Sequence, residues 1–130
     1  MEKVNPPHWK RPSGYANGVS ARGRMVFVAG QIGWTGNEEF ETDDLVGQVR
    51  QALQNTMEVL KEANAGPEHI ARMTWYVVNK REYLDSVKEI GQVYREIIGK
   101  NFAAMSLVQV ADLLEDRAKV EIETTAVVPD

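Results

Sequence analysis

The residues best placed to do chemistry lie where an apolar stretch of the chain gives way to small residues. Met25 to Ala29 is typical of a buried strand, and the segment Gly30–Gly33 follows it directly. Glycines at the end of a strand let another molecule approach main-chain N–H and C=O groups closely. A strand that simply runs into a turn fits the same local pattern, so both interpretations stay open.

Two carboxylates form a second candidate site. Glu121 and Glu123 share one face of the strand predicted over residues 119–128, roughly 7 Å apart by strand spacing. A carboxylate held in a cleft can position a water molecule and act as a general base. Two solvated or ion-paired carboxylates on a polar face are equally compatible with the pattern.

Composition excludes several classes of function. The 130 residues suit a single domain, 1–130, with a net charge of −4 and its 15 basic residues scattered along the chain. An acidic chain without a basic run argues against a nucleic-acid partner. There is no cysteine, and His8 and His69 have no neighbours at metal-ligand spacing. We therefore expect neither a metal nor another cofactor.

No apolar stretch approaches the roughly 20 residues that span a bilayer, and the polar, Pro-rich start does not look like a signal peptide. We therefore expect a cytoplasmic protein without a membrane partner. Residues 1–13 are predicted to form a surface arm.

Apolar periodicity predicts the elements that must position these residues. A helix is predicted from Asp43 or Asp44 to about Asn64, ended by Ala65-Gly66-Pro67 with Gly66 as a left-handed cap. A second helix is predicted after Asn79, with Leu84, Val87, Ile90, Tyr94 and Ile97 as its core stripe and Gly99 past its end. Strands are predicted over 25–31, 70–78, 104–110 and 119–128.

This order predicts an α+β fold in which two helices cover one face of a mixed sheet. The other face should carry Trp75 or Tyr76, Met105 or Ser106, and Glu121 or Glu123. An apolar sheet face without helices usually marks a subunit interface, so we expect an oligomer.

These features together resemble the YjgF/RidA family, the reactive-intermediate imine deaminases formerly called endoribonuclease L-PSP. The resemblance covers residues 13–128 and is carried by a set of short segments. They are Gly14-Tyr15-Ala16-Asn17, Met25–Ile32, Gln48 with Asn55, Val93-Tyr94, Phe102 with Ala104–Val110, and Val120–Val127. It implies a chorismate-mutase-like (ferredoxin-like) fold, a homotrimer, and small-metabolite clefts at the subunit interfaces. It also implies hydrolysis of enamines or imines to keto acids and ammonia.

The resemblance also implies roles for particular residues. Tyr15 matches the aromatic residue that helps to close the cleft, Gly30 the backbone position that contacts a carboxylate, and Glu121 the acidic residue of the water and amine chemistry. Gln31, Ile32 and Ser106 are expected to be further substrate contacts. Trp34 follows the Gly-Gln-Ile-Gly segment and is expected either to form a wall of the cleft or to pack in the core or an interface.

Two positions depart from the family pattern. The arginine that pairs with the substrate carboxylate is replaced by Met105, and an asparagine of the second helix is replaced by Gly91. Met cannot make the charge-assisted hydrogen bonds of a guanidinium, so typical 2-iminopropionate deamination is not expected. The candidates for a replacement are Arg11, Arg22, Arg24 and Arg72. Gly91 within a helix suggests that a neighbouring subunit or a ligand packs against it.

Two classes of function therefore stay open from the sequence. The protein is either a deaminase-type hydrolase with an altered substrate or a trimer that binds a small metabolite without turnover. Cleavage of RNA is rejected as a primary function, because the two histidines are dispersed and no basic stripe accompanies them.

Overall fold

Six strands and three helices build the fold in the computed structural model, which describes all residues 1–130. In chain order they are β1 Glu2–Val4, β2 Gly18–Ser20, β3 Arg24–Ile32, α1 Leu45–Glu62, β4 Ile70–Val77, α2 Lys80–Asp85, α3 Val87–Ile97, β5 Ala104–Gln109 and β6 Val120–Val128. A 3₁₀ turn, Pro67–His69, leads into β4. None of the helices is long and apolar enough to cross a membrane.

The main sheet has four strands in the order β3-β6-β4-β5. β6 lies between β3 and β4 and is antiparallel to both, whereas β4 and β5 are parallel. The parallel pair is joined by a crossover that contains α2 and α3, as the geometry of parallel strands requires. The predicted α+β fold with helices on one face of a mixed sheet is confirmed.

The core fills the space between α1, α3 and the inner face of this sheet. Alternate residues of the two central strands, such as Met73 and Trp75 in β4 and Ile122 in β6, are fully buried there. Tyr76 and Glu121, next to them in sequence, therefore belong to the outer face. This settles the alternatives left open by the pattern: Tyr76, Ser106, Glu121 and Glu123 face outward, while Trp75 belongs to the core and Met105 lies opposite Ser106.

Side chains cap the predicted starts of two helices, and the predicted cap after α1 is corrected. Asp44 accepts a hydrogen bond from Gly47 N at the start of α1, and Asn79 accepts one from Glu82 N at the start of α2. The left-handed residue after α1 is Asn64, with φ 55°, whereas Gly66 is extended. Asn tolerates this conformation because its short polar side chain costs little there.

The second predicted helix is wrong as a single element. The helix is interrupted at Ser86, whose φ of −111° and ψ of 8° leave the helical range, and α3 begins at Val87. Leu84 and Val87 are exposed rather than part of the core stripe, while Ile90 and Tyr94 do reach the core. The break thus separates α3, which contributes to the core, from α2, in which no residue is fully buried.

The N-terminal segment lies at the surface, as expected, but part of it is paired. β1 is antiparallel to β2, with Glu2 opposite Ser20, and forms a separate two-stranded sheet. Main-chain hydrogen bonds therefore hold the start of this surface segment.

The outer face of the main sheet is less apolar than the pattern predicted. Its apolar part lies on β3, where Phe27 is 71% and Met25 55% exposed. Its centre is polar, with Tyr76 and Glu123 joined by a hydrogen bond. An exposed apolar strip beside a polar centre is the feature of this face that a partner could cover.

Candidate functional site

A β-bulge brings Gly30 under the side chain of Glu121. Val28 pairs with Thr124 and Gln31 with Ile122, so Ala29 and Gly30 together oppose a single residue of β6. A bulge bends the strand and leaves its extra residue out of the regular ladder. A Cβ atom added at Gly30 would lie 2.7 Å from Cδ of Glu121, so only glycine leaves room for this carboxylate.

The Glu121 carboxylate has no partner of its own within the chain. It is half-buried and forms neither a hydrogen bond nor an ion pair. Its neighbour Glu123 is engaged instead, since the Tyr76 hydroxyl donates a hydrogen bond of 2.6 Å to Oε1 of Glu123. Of the two carboxylates on this face, Glu121 is the one available to hold a water or a ligand amine.

The same hydrogen bond sets the state of Tyr76. Donation to Glu123 raises the pKa of the Tyr76 hydroxyl above its usual value of 10.0; desolvation and the charges of Glu123 and Glu121 add to the effect, and Arg72 opposes it. Tyr76 therefore stays protonated at neutral pH and keeps one oxygen of Glu123 occupied.

Polar side chains of α1 hold the end of β3 in place. The amide of Asn55 donates hydrogen bonds to the carbonyl oxygens of Ile32, at 3.3 Å, and Trp34, at 2.7 Å. Gln51 donates in turn to Oδ1 of Asn55 at 2.9 Å, which fixes the orientation of the amide. The segment that follows Gly30 is thereby anchored to a helix rather than left as a free loop.

Gln48 ties the approach to β6 to the same helix. Its Nε2 donates to the carbonyl oxygens of Thr42 and Arg117 at 3.2 and 3.0 Å, and its Oε1 accepts from Lys119 N at 2.8 Å. The side chain is fully buried. Gly33 lies against it so closely that an added Cβ would be 2.7 Å from Cα of Gln48.

A separate cavity of about 550 Å³ lies at the other edge of the sheet, between β5, α3 and the loop before β2. Most of its wall is aromatic or aliphatic, with Trp75 and Tyr94 from the core and Phe102 stacked on Tyr94. Tyr15, Gly91 and Met105 also line it. A volume of this size suits a ligand considerably larger than a three-carbon acid.

Two tyrosines of this cavity, Tyr83 and Tyr94, stay protonated. Burial raises the pKa of Tyr94 to about 12 and also raises that of Tyr83. The Tyr94 hydroxyl donates to the carbonyl oxygen of Asn101 at 3.0 Å, so its proton is already committed. Trp75 differs, because its buried Nε1–H has no hydrogen-bond partner in the chain.

The cations of the cavity come from α3. Lys88 and Arg95 line it, and no carboxylate does. None of the four arginines considered from the sequence lines it. Arg24, for example, donates to the carbonyl oxygen of Ala63, and Arg72 lies on the outer face in a small depression with Glu123 and Phe27.

Position 91 is open rather than tightly packed within the chain. The nearest atom to a Cβ added at Gly91 is Nη1 of Arg95, at 3.5 Å, an ordinary contact. Within the chain, the space above Gly91 belongs to the cavity and the Arg95 guanidinium, so the expected contact with a neighbouring subunit or a ligand stays a prediction.

Comparison with known proteins decides the family. The family model described as Endoribonuclease L-PSP matches residues 9–128. A RutC family protein of Pasteurella multocida is 30% identical over 105 residues, which cover 81% of each chain. The solved structure of the Rid family protein YyfB of Yersinia pestis matches with a TM-score of 0.86 and 33% identity over 98% of both chains. This chain is a member of the YjgF/RidA family.

Another solved structure that this YjgF/RidA chain resembles carries a ligand. Escherichia coli TdcF with bound serine is 29% identical, with a TM-score of 0.70 over 98% of this chain and 99% of that one.

Within one chain, the residues expected from the YjgF/RidA resemblance fall into separate places. Gly30, Glu121 and Ser106 lie on the outer face, and Ser106 is exposed in β5. Tyr15, Gly91 and Met105 line the cavity. The strands of Gly30 and Met105 are separated by two others, or about 14 Å at ordinary strand spacing.

The remaining expected contacts lie at the end of β3. Gln31 donates to the carbonyl oxygen of Ala29 at 3.1 Å, and Ile32, which pairs with Glu121, is buried. Trp34 packs against Phe40, with ring centroids 5.8 Å apart, in a different depression from the cavity. Trp34 therefore does not form a wall of the cavity that contains Tyr15.

Three residues of this YjgF/RidA protein have placements that the sequence pattern does not reveal. Gln48 and Asn55 belong to the family resemblance, and the structure adds that their amides hold the approach to β6 and the end of β3. The third is Arg95, at the wall of the cavity. The sequence shows only that Gly91 and Arg95 are four residues apart and therefore neighbours on one face of a helix.

Replacement of Gln48 by Met is expected to lower the free energy of unfolding by about 2–4 kcal/mol. Met keeps the volume but leaves the buried Lys119 N–H and two carbonyl groups without partners. Urea denaturation measures the change. Gln92→Met, at an exposed site of α3, is the control and should stay within about 0.5 kcal/mol of the unmodified protein. A loss no larger than the control's would contradict the anchoring role of Gln48.

Proposed function

We propose that this protein is a homotrimer that hydrolyses an enamine or imine metabolite in clefts at its subunit interfaces. The observation that carries the proposal is the unpartnered carboxylate of Glu121 above the bulged backbone at Gly30, in a chain of the YjgF/RidA family. Such a carboxylate can take a proton from a water molecule while backbone groups orient the substrate.

The reaction needs one base and one water. Glu121 removes a proton from water as the water oxygen bonds to the carbon of the C=N group. The same proton then passes to nitrogen, which gives a carbinolamine. Glu121 next takes the proton of the new hydroxyl group as the C=O bond forms and passes it to nitrogen, so that the C–N bond breaks and the products are a carbonyl compound and ammonia. Glu121 ends in its original state, so no other reactant is consumed.

The assembly is supported by the outer face of the sheet. Phe27 and Met25 expose a strip of apolar surface on β3, and a trimer contact there would remove it from water. A trimer would also allow Gly30 and Glu121 of one subunit to approach the Tyr15–Met105 cavity of another. The two groups are too far apart to act together within one chain.

The substrate is proposed to differ from 2-iminopropionate. Met105 offers no donor for a carboxylate, and the cavity that it lines is much larger than a three-carbon acid requires. TdcF, the relative solved with serine, supports an amino-acid-like ligand for the family fold. Cleavage of RNA, which the family name endoribonuclease suggests, is not proposed for this chain, because its sequence contains no basic stripe.

The alternative is a trimer that binds a small metabolite without turnover. Met105 and Gly91 favour it, because both depart from the family pattern at positions that line the cavity. Turnover that depends on Glu121 would support the hydrolase, and its absence would support the binding trimer.

Light scattering is expected to give a mass of about 44 kDa, three chains of 14.6 kDa each. Phe27→Asp should shift the protein to the monomer, because the new charge would have to be buried without a partner. Val59→Asp, on the exposed side of α1, is the control and should remain trimeric. A monomer for the unmodified protein at micromolar concentration would refute the assembly.

Glu121→Gln is expected to lower imine hydrolysis by roughly 10²–10⁴-fold, the usual contribution of a general base. Imines are generated in the assay from a panel of amino acids by an amino-acid oxidase, and 2-iminopropionate from serine by a dehydratase. The unmodified protein should accelerate loss of at least one oxidase product and leave 2-iminopropionate near its spontaneous rate.

Glu123→Gln is the matched control for this measurement and should keep most of the activity, since its carboxylate is occupied by Tyr76. No acceleration on any imine would favour the binding trimer. Acceleration that survives in Glu121→Gln would remove Glu121 from the mechanism.

Met105→Arg is expected to create affinity for pyruvate and some hydrolysis of 2-iminopropionate. The new guanidinium would enter a cavity that is open to solvent and free of carboxylates, where it can pair with a substrate carboxylate. Calorimetry with pyruvate measures the gain, and Met105→Leu is the uncharged control. A folded trimer without any gain would show that position 105 does not reach the ligand.

A further inference from the structure

The cavity at the β5 edge contains a cation that is free to bind a ligand. Arg50 is paired with Glu96 and Arg117 with Asp43, but Arg95 forms neither an ion pair nor a hydrogen bond. Its guanidinium lies over Gly91 at the cavity wall. An unpaired guanidinium beside apolar walls, with no carboxylate among the lining residues, is complementary to an anion.

The missing side chain at position 91 makes this arrangement possible. The point where a Cβ would stand is 3.5 Å from Nη1 of Arg95, and no other atom comes within 4 Å of it. A larger residue at this position would extend from that point into the space that the guanidinium occupies. The small size of the residue at position 91, rather than glycine itself, is therefore what leaves this room.

The size and walls of the cavity restrict the rest of the ligand. About 550 Å³ is available, and Trp75, Tyr94, Phe102 and Met105 offer flat or flexible apolar surfaces. Aromatic rings pack well against such walls. The indole N–H of Trp75, buried at this wall, also lacks an acceptor.

We propose that Arg95 binds the carboxylate of this protein's ligand, in the room left by Gly91, and that the ligand is a keto or imino acid with an aromatic side chain. Arg95 on α3 thus binds the carboxylate in place of the arginine that β5 lacks at position 105. Met105 then forms an apolar wall for the aromatic ring. Lys88, on the same helix, adds a second positive charge at the cavity. The assignment of a keto or imino acid rests on the proposed function, whereas the contact between Arg95 and a carboxylate does not.

Calorimetry on the full chain tests the proposal with phenylpyruvate as the probe. Phenylpyruvate should bind at least tenfold more tightly than pyruvate, because only the former fills the apolar part of the cavity. Arg95→Gln should lower the affinity for phenylpyruvate at least tenfold. Phenylacetone, which has the ring and the ketone but no carboxylate, should bind both proteins equally.

Variants of the neighbouring residues separate the contact from a general effect of charge. Arg81→Gln removes an exposed arginine from α2 that does not line the cavity and should leave the affinity unchanged. Gly91→Leu should lower the affinity for phenylpyruvate, because the larger side chain displaces the guanidinium. Gly91→Ala should retain binding, because its Cβ makes only an ordinary contact.

The results also distinguish this proposal from the hydrolytic function. Binding of phenylpyruvate that depends on Arg95, without turnover of any imine, would uphold the anion contact and overturn the deaminase. Turnover that depends on Glu121, with the same KM in Arg95→Gln as in the unmodified protein, would uphold the deaminase and overturn the anion contact. Failure of the unmodified protein to bind phenylpyruvate, or equal binding by Arg95→Gln, would overturn the proposal.

Discussion

The buried amide of Gln48 joins segments that are distant in sequence: the loop before α1, the helix itself and the chain that enters β6. Because its donors and acceptor are matched, a polar group sits in the core without leaving an unpaired partner. Gly33 packs directly against it, and Asn55, two turns further along α1, holds the strand end. The bulge at Gly30 and the position of Glu121 therefore depend on one face of one helix.

The sheet separates two kinds of chemistry. Its outer face carries the free carboxylate of Glu121 and the closed Tyr76–Glu123 pair, while the cavity of Arg95 lies at the β5 edge beside α3. The unpartnered carboxylate of β6 and the unpaired guanidinium of α3 thus belong to different elements. Either group can change without disturbing the packing of the other.

The sequence predicted well what depends on regular patterns. The alternation of β6 located Glu121 on the face opposite the core, and the spacing in α1 located that helix to within a residue or two. Prediction from the sequence failed where the outcome depended on tertiary packing rather than on a local pattern. The break at Ser86 has no glycine or proline to mark it, and no local pattern places Arg95 at a cavity formed by β5, α3 and a distant loop.

The strand order has a consequence for how the molecule is made. β6 lies between β3 and β4 but is synthesised after both, so neither can complete its pairing while the chain is still growing. Closing the β3–β6 pair joins Arg24 to Val128 across about a hundred residues, a contact whose entropy cost slows folding. During synthesis β3 therefore presents two open edges and its exposed Phe27, and this nascent strand is where chaperones would be needed most.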